Sequence, residues 1–188
     1  MRRQIAAALC LAVLGFAASF PLAGAQQRTA APTATSIRDL MQAIIDPSAD
    51  AIWTAVGTIV DKENGIVELV PKTDQEWLDV RSAAVRIVEG SNLLMMPGRQ
   101  AAPAGAKSET PGVELEPAEI IALVRKNRKT FDGFAKALQL LGVEAMRASE
   151  SKNAVLIMDI GARMEGVCES CHQTFWYPHP FTSQSGGR

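Results

Sequence analysis

The sequence predicts an all-α protein built as an antiparallel four-helix bundle. Three observations lead there. Four stretches repeat apolar residues at helical spacing. Strand signals are few. A proline- and glycine-rich segment, 97–117, divides the chain, but neither half has enough helices to bury a core alone. That segment therefore reads as a long crossover loop inside one domain, not as a linker between two.

The chain opens with a targeting pattern. Arg2 and Arg3 are followed by a nearly continuous apolar run from Ile5 to Phe20, and then by Ala23-Gly24-Ala25. A charged start, a short apolar stretch and a small-residue cleavage site make a secretory signal peptide over residues 1–25. The run falls short of the roughly 18–20 residues of a spanning helix. Cys10 lies inside it and is lost with it, with no small residue before it to mark a lipoprotein site. Export places the mature chain in the periplasm. The mature chain is long enough for one domain with a sizeable core. No second long apolar stretch follows, so no membrane span is expected after cleavage. The formal net charge is −1 and becomes more negative once Arg2 and Arg3 are gone. Nucleic-acid binding, which demands a strongly basic surface, is not expected.

Residues 26–35 are small and polar and read as a flexible lead-in to a domain spanning 36–176. The first helix is expected from Ser36 to Val60. Ser36 is placed to cap it, with Asp39 three residues later. Ile37, Leu40, Met41, Ile44, Ile45, Ile52, Trp53, Val56 and Ile59 form its apolar stripe. Pro47 predicts a kink or a short break, because its ring meets the carbonyl of Ala43 and it has no N–H; Asp46 is placed to recap the chain. Asn64-Gly65 is a tight-turn signal, and Thr58–Val60 could pair with Ile66–Val70 as a short hairpin. The second helix begins at Thr73-Asp74-Gln75-Glu76, a capping-box spacing, and ends at Pro97-Gly98. The third is expected from Pro117 to Ala148, with Ile120, Val124, Asn127, Phe131, Phe134, Leu138, Leu141, Ala145 and Ala148 along one seam. The fourth is expected from Ser151 to Trp176. Residues 177–188 read as a loose tail.

The mature chain keeps two cysteines, Cys168 and Cys171, and a disulfide between them would close too small a loop to stabilise much. Together with His172 they spell C-E-S-C-H, the attachment pattern of a c-type haem. Residues i, i+3 and i+4 share one helix face, so both thiols and the imidazole can address one flat macrocycle. A thioredoxin-like dithiol would need a βαβ setting. A structural zinc site would need about four ligands, and the only other histidine is His179. One covalent haem c, held at Cys168 and Cys171 with His172 as axial iron ligand, is the expectation.

The motif ends the last helix of a helical, exported chain and is followed by an aromatic residue, as CESCHQTF. In this the sequence resembles the class II cytochromes c, the cytochrome c′ family. The resemblance covers most of the mature chain as architecture and residues 168–175 as motif, with Phe175 the aromatic. The family often carries a basic residue next; here Trp176 stands there. The resemblance implies a four-helix bundle whose first helix faces the other side of the haem. One branch of the family leaves that side open and binds nitric oxide or carbon monoxide. Another places a methionine there and transfers electrons. Homodimers are common in the family.

No methionine follows His172, so a thioether ligand must come from upstream: Met41, Met95, Met96, Met146, Met158 or Met164. Met158 and Met164 share the histidine's helix. Met95 and Met96 end the second helix, and Met146 lies late in the third. Met41 sits early in the first helix and resembles the ligating methionine of the low-spin branch. It is the candidate second axial ligand, against core filling as the simpler use of a methionine on an apolar face. A thioether raises the haem potential, as suits an electron carrier working with redox partner proteins. The alternative is an open site for small gas ligands. His179 would ligate only if the tail wrapped the haem edge. Arg38, one turn before Met41, reads as a surface arginine, or else as a charge partner for the haem. Arg125, Lys126, Arg128 and Lys129 read as a solvated helix face, or else as a dock for an acidic redox partner. Trp53, Trp77 and Trp176 are expected in the core or along the haem. No distal histidine or acid–base pair suited to O–O cleavage accompanies the motif, so no enzyme is expected.

Overall fold

In a computed structural model, residues 33–178 are described. The signal peptide expected over 1–25 and most of the lead-in lie outside them, as do His179 and the rest of the tail. The described chain is mostly helical with one small two-stranded sheet. An all-α reading is therefore corrected by one hairpin.

Helix α1 (Ile37–Leu40) starts on the capping box expected at Ser36: its Oγ accepts from the Asp39 N–H, and the Asp39 carboxylate accepts from the Ser36 N–H at 2.7 Å. The path then widens into a π-helical turn, Met41–Ile45, before α2 (Asp46–Ala55). Pro47 produces no break. The wider turn comes just before it, with the Asp46 N–H bonding back to the Met41 carbonyl. The Ser48 hydroxyl then donates to Ile44 O at 2.6 Å, satisfying a carbonyl beside the one Pro47 leaves without its N–H.

The first helix ends at Ala55, not at Val60. Val56 turns extended, and β1 (Gly57–Asp61) pairs antiparallel with β2 (Gly65–Leu69) in the register Val60 to Ile66. The β-branched run Thr58-Ile59-Val60 favours strand. Asp61 closes the turn by accepting from the N–H groups of Glu63 and Asn64, and Gly65 takes the positive φ that the tip requires.

Helix α3 (Asp74–Leu94) carries the predicted Thr73/Glu76 capping box. The third predicted helix divides in two, α4 (Pro117–Lys126) and α5 (Arg128–Glu150). Asn127 makes the break. At φ −119° and ψ 40° it leaves helical geometry, and both its N–H and its side-chain amide bond to Leu123 O. An amide side chain competing for a backbone carbonyl is a known helix interrupter. Helix α6 (Ala154–Phe175) starts later than Ser151, on an Asn153 cap whose Oδ1 accepts from Leu156 N–H.

Helices α3 and α5 run in opposite directions, as do α5 and α6. Arg81 near the start of α3 pairs with Glu150 at the end of α5 at 2.9 Å, and Arg128 at the start of α5 donates to Met95 O beyond the end of α3. Glu144 of α5 pairs with Arg163 of α6 at 2.7 Å, and the three-residue connection 151–153 leaves no other arrangement. The core between them is built from Ile52, Ile87, Val124, Ile157, Ile160 and Met164, all inaccessible to solvent. Gly142 brings α5 onto α3: a Cβ there would lie 2.9 Å from Val88 and 3.2 Å from the Ala84 carbonyl oxygen.

The crossover segment is ordered by its contacts. Ile37 and Arg38 N–H groups bond to Gln100 O and Ala101 O, Leu115 N–H bonds to Trp176 O, and Arg99 donates to Thr35. Nor is Tyr177 loose, as the tail was expected to be: its N–H bonds to His172 O and its hydroxyl donates to Glu169 at 2.8 Å. No helix among the described residues is long and apolar enough to cross a membrane.

Candidate functional site

The last two turns of α6 carry Cys168, Cys171 and His172, and all three side chains line one partly open cleft of about 610 Å³, counting the space at its mouth. The other walls come from separate elements. Helix α5 contributes Phe131, Phe134, Ala135 and Leu138; α3 contributes Leu94; Met41, Ile45, Asp46, Ala49 and Trp53 come from the first helical segment. The lining is almost entirely carbon.

The π-turn explains why Asp46 belongs to that last set. In an unbroken α-helix Met41 and Asp46 would point about 140° apart, at 3.6 residues per turn. The i to i+5 bond closing Met41–Asp46 brings both to the cleft. Of the six candidate methionines, Met41 alone lines it. Met164 is fully buried in the core, Met158 is exposed, and Met95 and Met146 pack half-buried against the core. Met96 lies against the Arg99 guanidinium.

Cys168 and Cys171 are free thiols. Burial pushes Cys168 up to about 11, with the nearby Asp46 carboxylate adding to it, and pushes Cys171 up to about 12. A nucleophilic dithiol needs the opposite shift. Among the described residues no three His, Cys, Asp or Glu side chains converge as the ligands of a bare metal ion would. The two thiols and the imidazole are instead laid out along one wall, an arrangement that suits an extended flat group.

The indole of Trp53 donates to the Gly161 carbonyl at 2.9 Å, and the missing Cβ of Gly161 gives the ring its seat, since one would lie 3.0 Å from it. Trp77 packs in the core. Phe175, buried, meets Phe131 and Phe134, which line the cleft, edge to face at 5.5 and 6.4 Å.

A second, polar hollow adjoins on the His172 side, bounded by Arg38, Met41, Asp46, Glu109, Glu114 and Trp176 among others. Arg38 is not the surface residue the sequence favoured: it is 9% exposed. Its guanidinium lies 5.6 Å over the Trp176 ring, pairs with Glu109 at 3.3 Å and donates to Lys107 O. Its Nε has no hydrogen-bond partner, a rare condition for a buried donor. Burial at Glu114 would raise its carboxyl, but hydrogen bonds from the Trp176 indole and from Thr110, Glu109 and Ser108 outweigh that and hold it below the usual range. Partial desolvation raises Asp46, while the neighbouring His172 pulls it the other way.

Sequence reasoning missed Asp46, which it assigned to capping, and the Arg38–Trp176 stack. Comparison with protein-family models, with curated proteins and with solved structures gave no match to this chain.

Proposed function

We propose that this chain is an exported, periplasmic c-type cytochrome that transfers electrons, with its helical segments 37–55, 74–94, 128–150 and 154–175 forming an antiparallel four-helix bundle around one covalent haem. One observation carries the reading: Cys168, Cys171 and His172, spaced i, i+3 and i+4 on α6, line a single apolar cleft with Met41 on another wall.

The residues fit the group. Cys168 and Cys171 would hold it by thioether bonds, His172 would ligate its iron, and Met41 would supply a second iron ligand. When bound, the haem supplies a one-electron ferric–ferrous couple. The protein supplies the surroundings. Phe131, Phe134, Leu138 and Trp53 exclude water and lower the local dielectric. A thioether from Met41 favours the reduced state. Arg38, buried and with a free Nε, is placed to pair with carboxylate groups at the polar hollow beside the cleft. Gly142 lets α5 pack closely on α3, which stiffens the scaffold. The role proposed is that of a carrier and not of an enzyme.

The optical spectrum of the purified ferrous protein tests the reading. Low-spin, six-coordinate bands support His172 and Met41 as axial ligands. A five-coordinate, high-spin spectrum would contradict that ligation and favour an open site binding nitric oxide or carbon monoxide.

A further inference from the structure

The end of the molecule that carries the cleft bears charge of two signs. Asp46, Glu109, Glu114, Glu165 and Glu169 lie around the hollows on the His172 side. The junction of α4 and α5 is basic: Arg125, Lys126, Arg128 and Lys129, with Lys136 two turns on, stand against one acid, Asp132. Overall composition does not explain this, because the chain as a whole is at −1.

Folding explains part of the patch. Arg128 pairs with Asp132 at 2.8 Å, donates to Met95 O and lies 5.7 Å from the Phe131 ring, so it is committed to joining α3 to α5. Arg125 and Lys126 occupy the last turn of α4, where the helix dipole favours cations. Lys129 has no such account. It sits in the first turn of α5, the positive end of that helix's dipole, and that turn holds no acid. Arg125, Lys126 and Lys129 are exposed and, among the described residues, in no ion pair. Residues 1–32 and 179–188 contain no Asp or Glu side chain to neutralise them. The cluster reaches the cleft through Arg128, which lies over Phe131 of the cleft wall.

We propose that Arg125, Lys126 and Lys129 form the docking surface for the acidic face of a redox protein, guiding it to the Phe131–Phe134 wall of the cleft. This rests on the electron-transfer reading above. Clustered like charge beside the site of exchange raises the encounter rate of an oppositely charged partner and orients it. The acidic side near His172 repels the same partner and sharpens the orientation.

The test uses the haem-loaded protein and small redox probes of opposite charge. Ferricyanide takes one electron from the reduced protein and leaves as ferrocyanide; tris(phenanthroline)cobalt(III) takes one electron as a cation. In Lys126→Glu/Lys129→Glu the ferricyanide rate should fall about tenfold at low ionic strength, and the cobalt rate should not fall. The difference should close near about 0.5 M salt, where the screening length is a few ångströms. Lys62→Glu, on the hairpin, serves as control and should leave both rates alone. Redox-inert chromium(III) hexacyanide should broaden amide resonances of 125–129 before those of other lysines. Normal haem bands with unchanged ferricyanide rates, or broadening spread evenly over all lysines, would overturn the proposal. Purified protein without haem bands would overturn the electron-transfer reading instead, and the chromium probe would still decide whether the patch gathers anions.

Discussion

Met41 and His172 line the same apolar cleft from different helices, and the π-turn that closes on the Met41 carbonyl brings Asp46 to that cleft beside them. This juxtaposition is specific enough to test by substitution. In Met41→Ala the ferrous spectrum should change from low spin to high spin, and carbon monoxide should bind without a ligand to displace. Met41 is only half-buried, so the stability loss should be about 1–2 kcal/mol, below the 2–5 of a fully buried methionine. A spectrum that is high spin before the substitution and unchanged after it would assign Met41 to packing.

Gly142 offers a test of the scaffold. An alanine there gains about 1 kcal/mol of helix propensity, but its Cβ meets Val88 and the Ala84 carbonyl oxygen at under 3.3 Å. Backbone cannot move aside cheaply, and overpacking of this kind costs about 1–3 kcal/mol. Gly142→Ala should therefore lower the unfolding free energy by a net of up to about 2 kcal/mol, read as a lower denaturation midpoint. Gly133→Ala, which meets nothing within 4 Å, should raise it.

Arg38 ties three parts of the chain together: the start of α1, the crossover segment through Lys107 and Glu109, and the end of α6 through Trp176. Arg38→Ala should cost about 1–3 kcal/mol, the range for leaving buried polar partners unsatisfied. Amide exchange should speed up first at residues 107–110. Uniform exchange with no local change would show that the segment is held by its backbone contacts alone.

The helix caps set an acid limit. Hydrogen bonds from Ser36 hold the Asp39 carboxyl below its usual range, and those from the Lys72 and Thr73 N–H groups do the same for Glu76. A depressed folded-state pKa contributes stability that is present above the unfolded value, about 4, and is lost as pH falls through the folded value. Denaturant midpoints measured between about pH 6 and pH 3 should therefore fall with pH, and fall less steeply in Glu76→Gln. Equal slopes in the two proteins would remove Glu76 from the account.

Much of this was legible in the sequence wherever the deciding interaction is local. Thr73 and Glu76 lie three residues apart and cap α3 as their spacing says. The Asn64-Gly65 turn, the i, i+3, i+4 layout of Cys168, Cys171 and His172, and the placement of Met41 on the apolar stripe are local too. The rest depended on partners distant in sequence or on backbone detail. Asp46 reaches the cleft only because the helix widens to a π-turn, which no periodicity at 3.6 residues can show. Arg38 is buried by Glu109 and Trp176, which nothing in its own neighbourhood reveals. Asn127 fitted the seam of α5 by spacing, yet its side chain wins the Leu123 carbonyl and ends α4.

The most direct test of the central claim is the intact mass of the protein, exported in a cell that attaches haem to c-type cytochromes and measured in denaturant. The chain should carry one haem that unfolding does not release, and Cys168→Ser/Cys171→Ser should carry none. A chain at its unmodified mass, or one whose haem is lost on unfolding, would contradict the account.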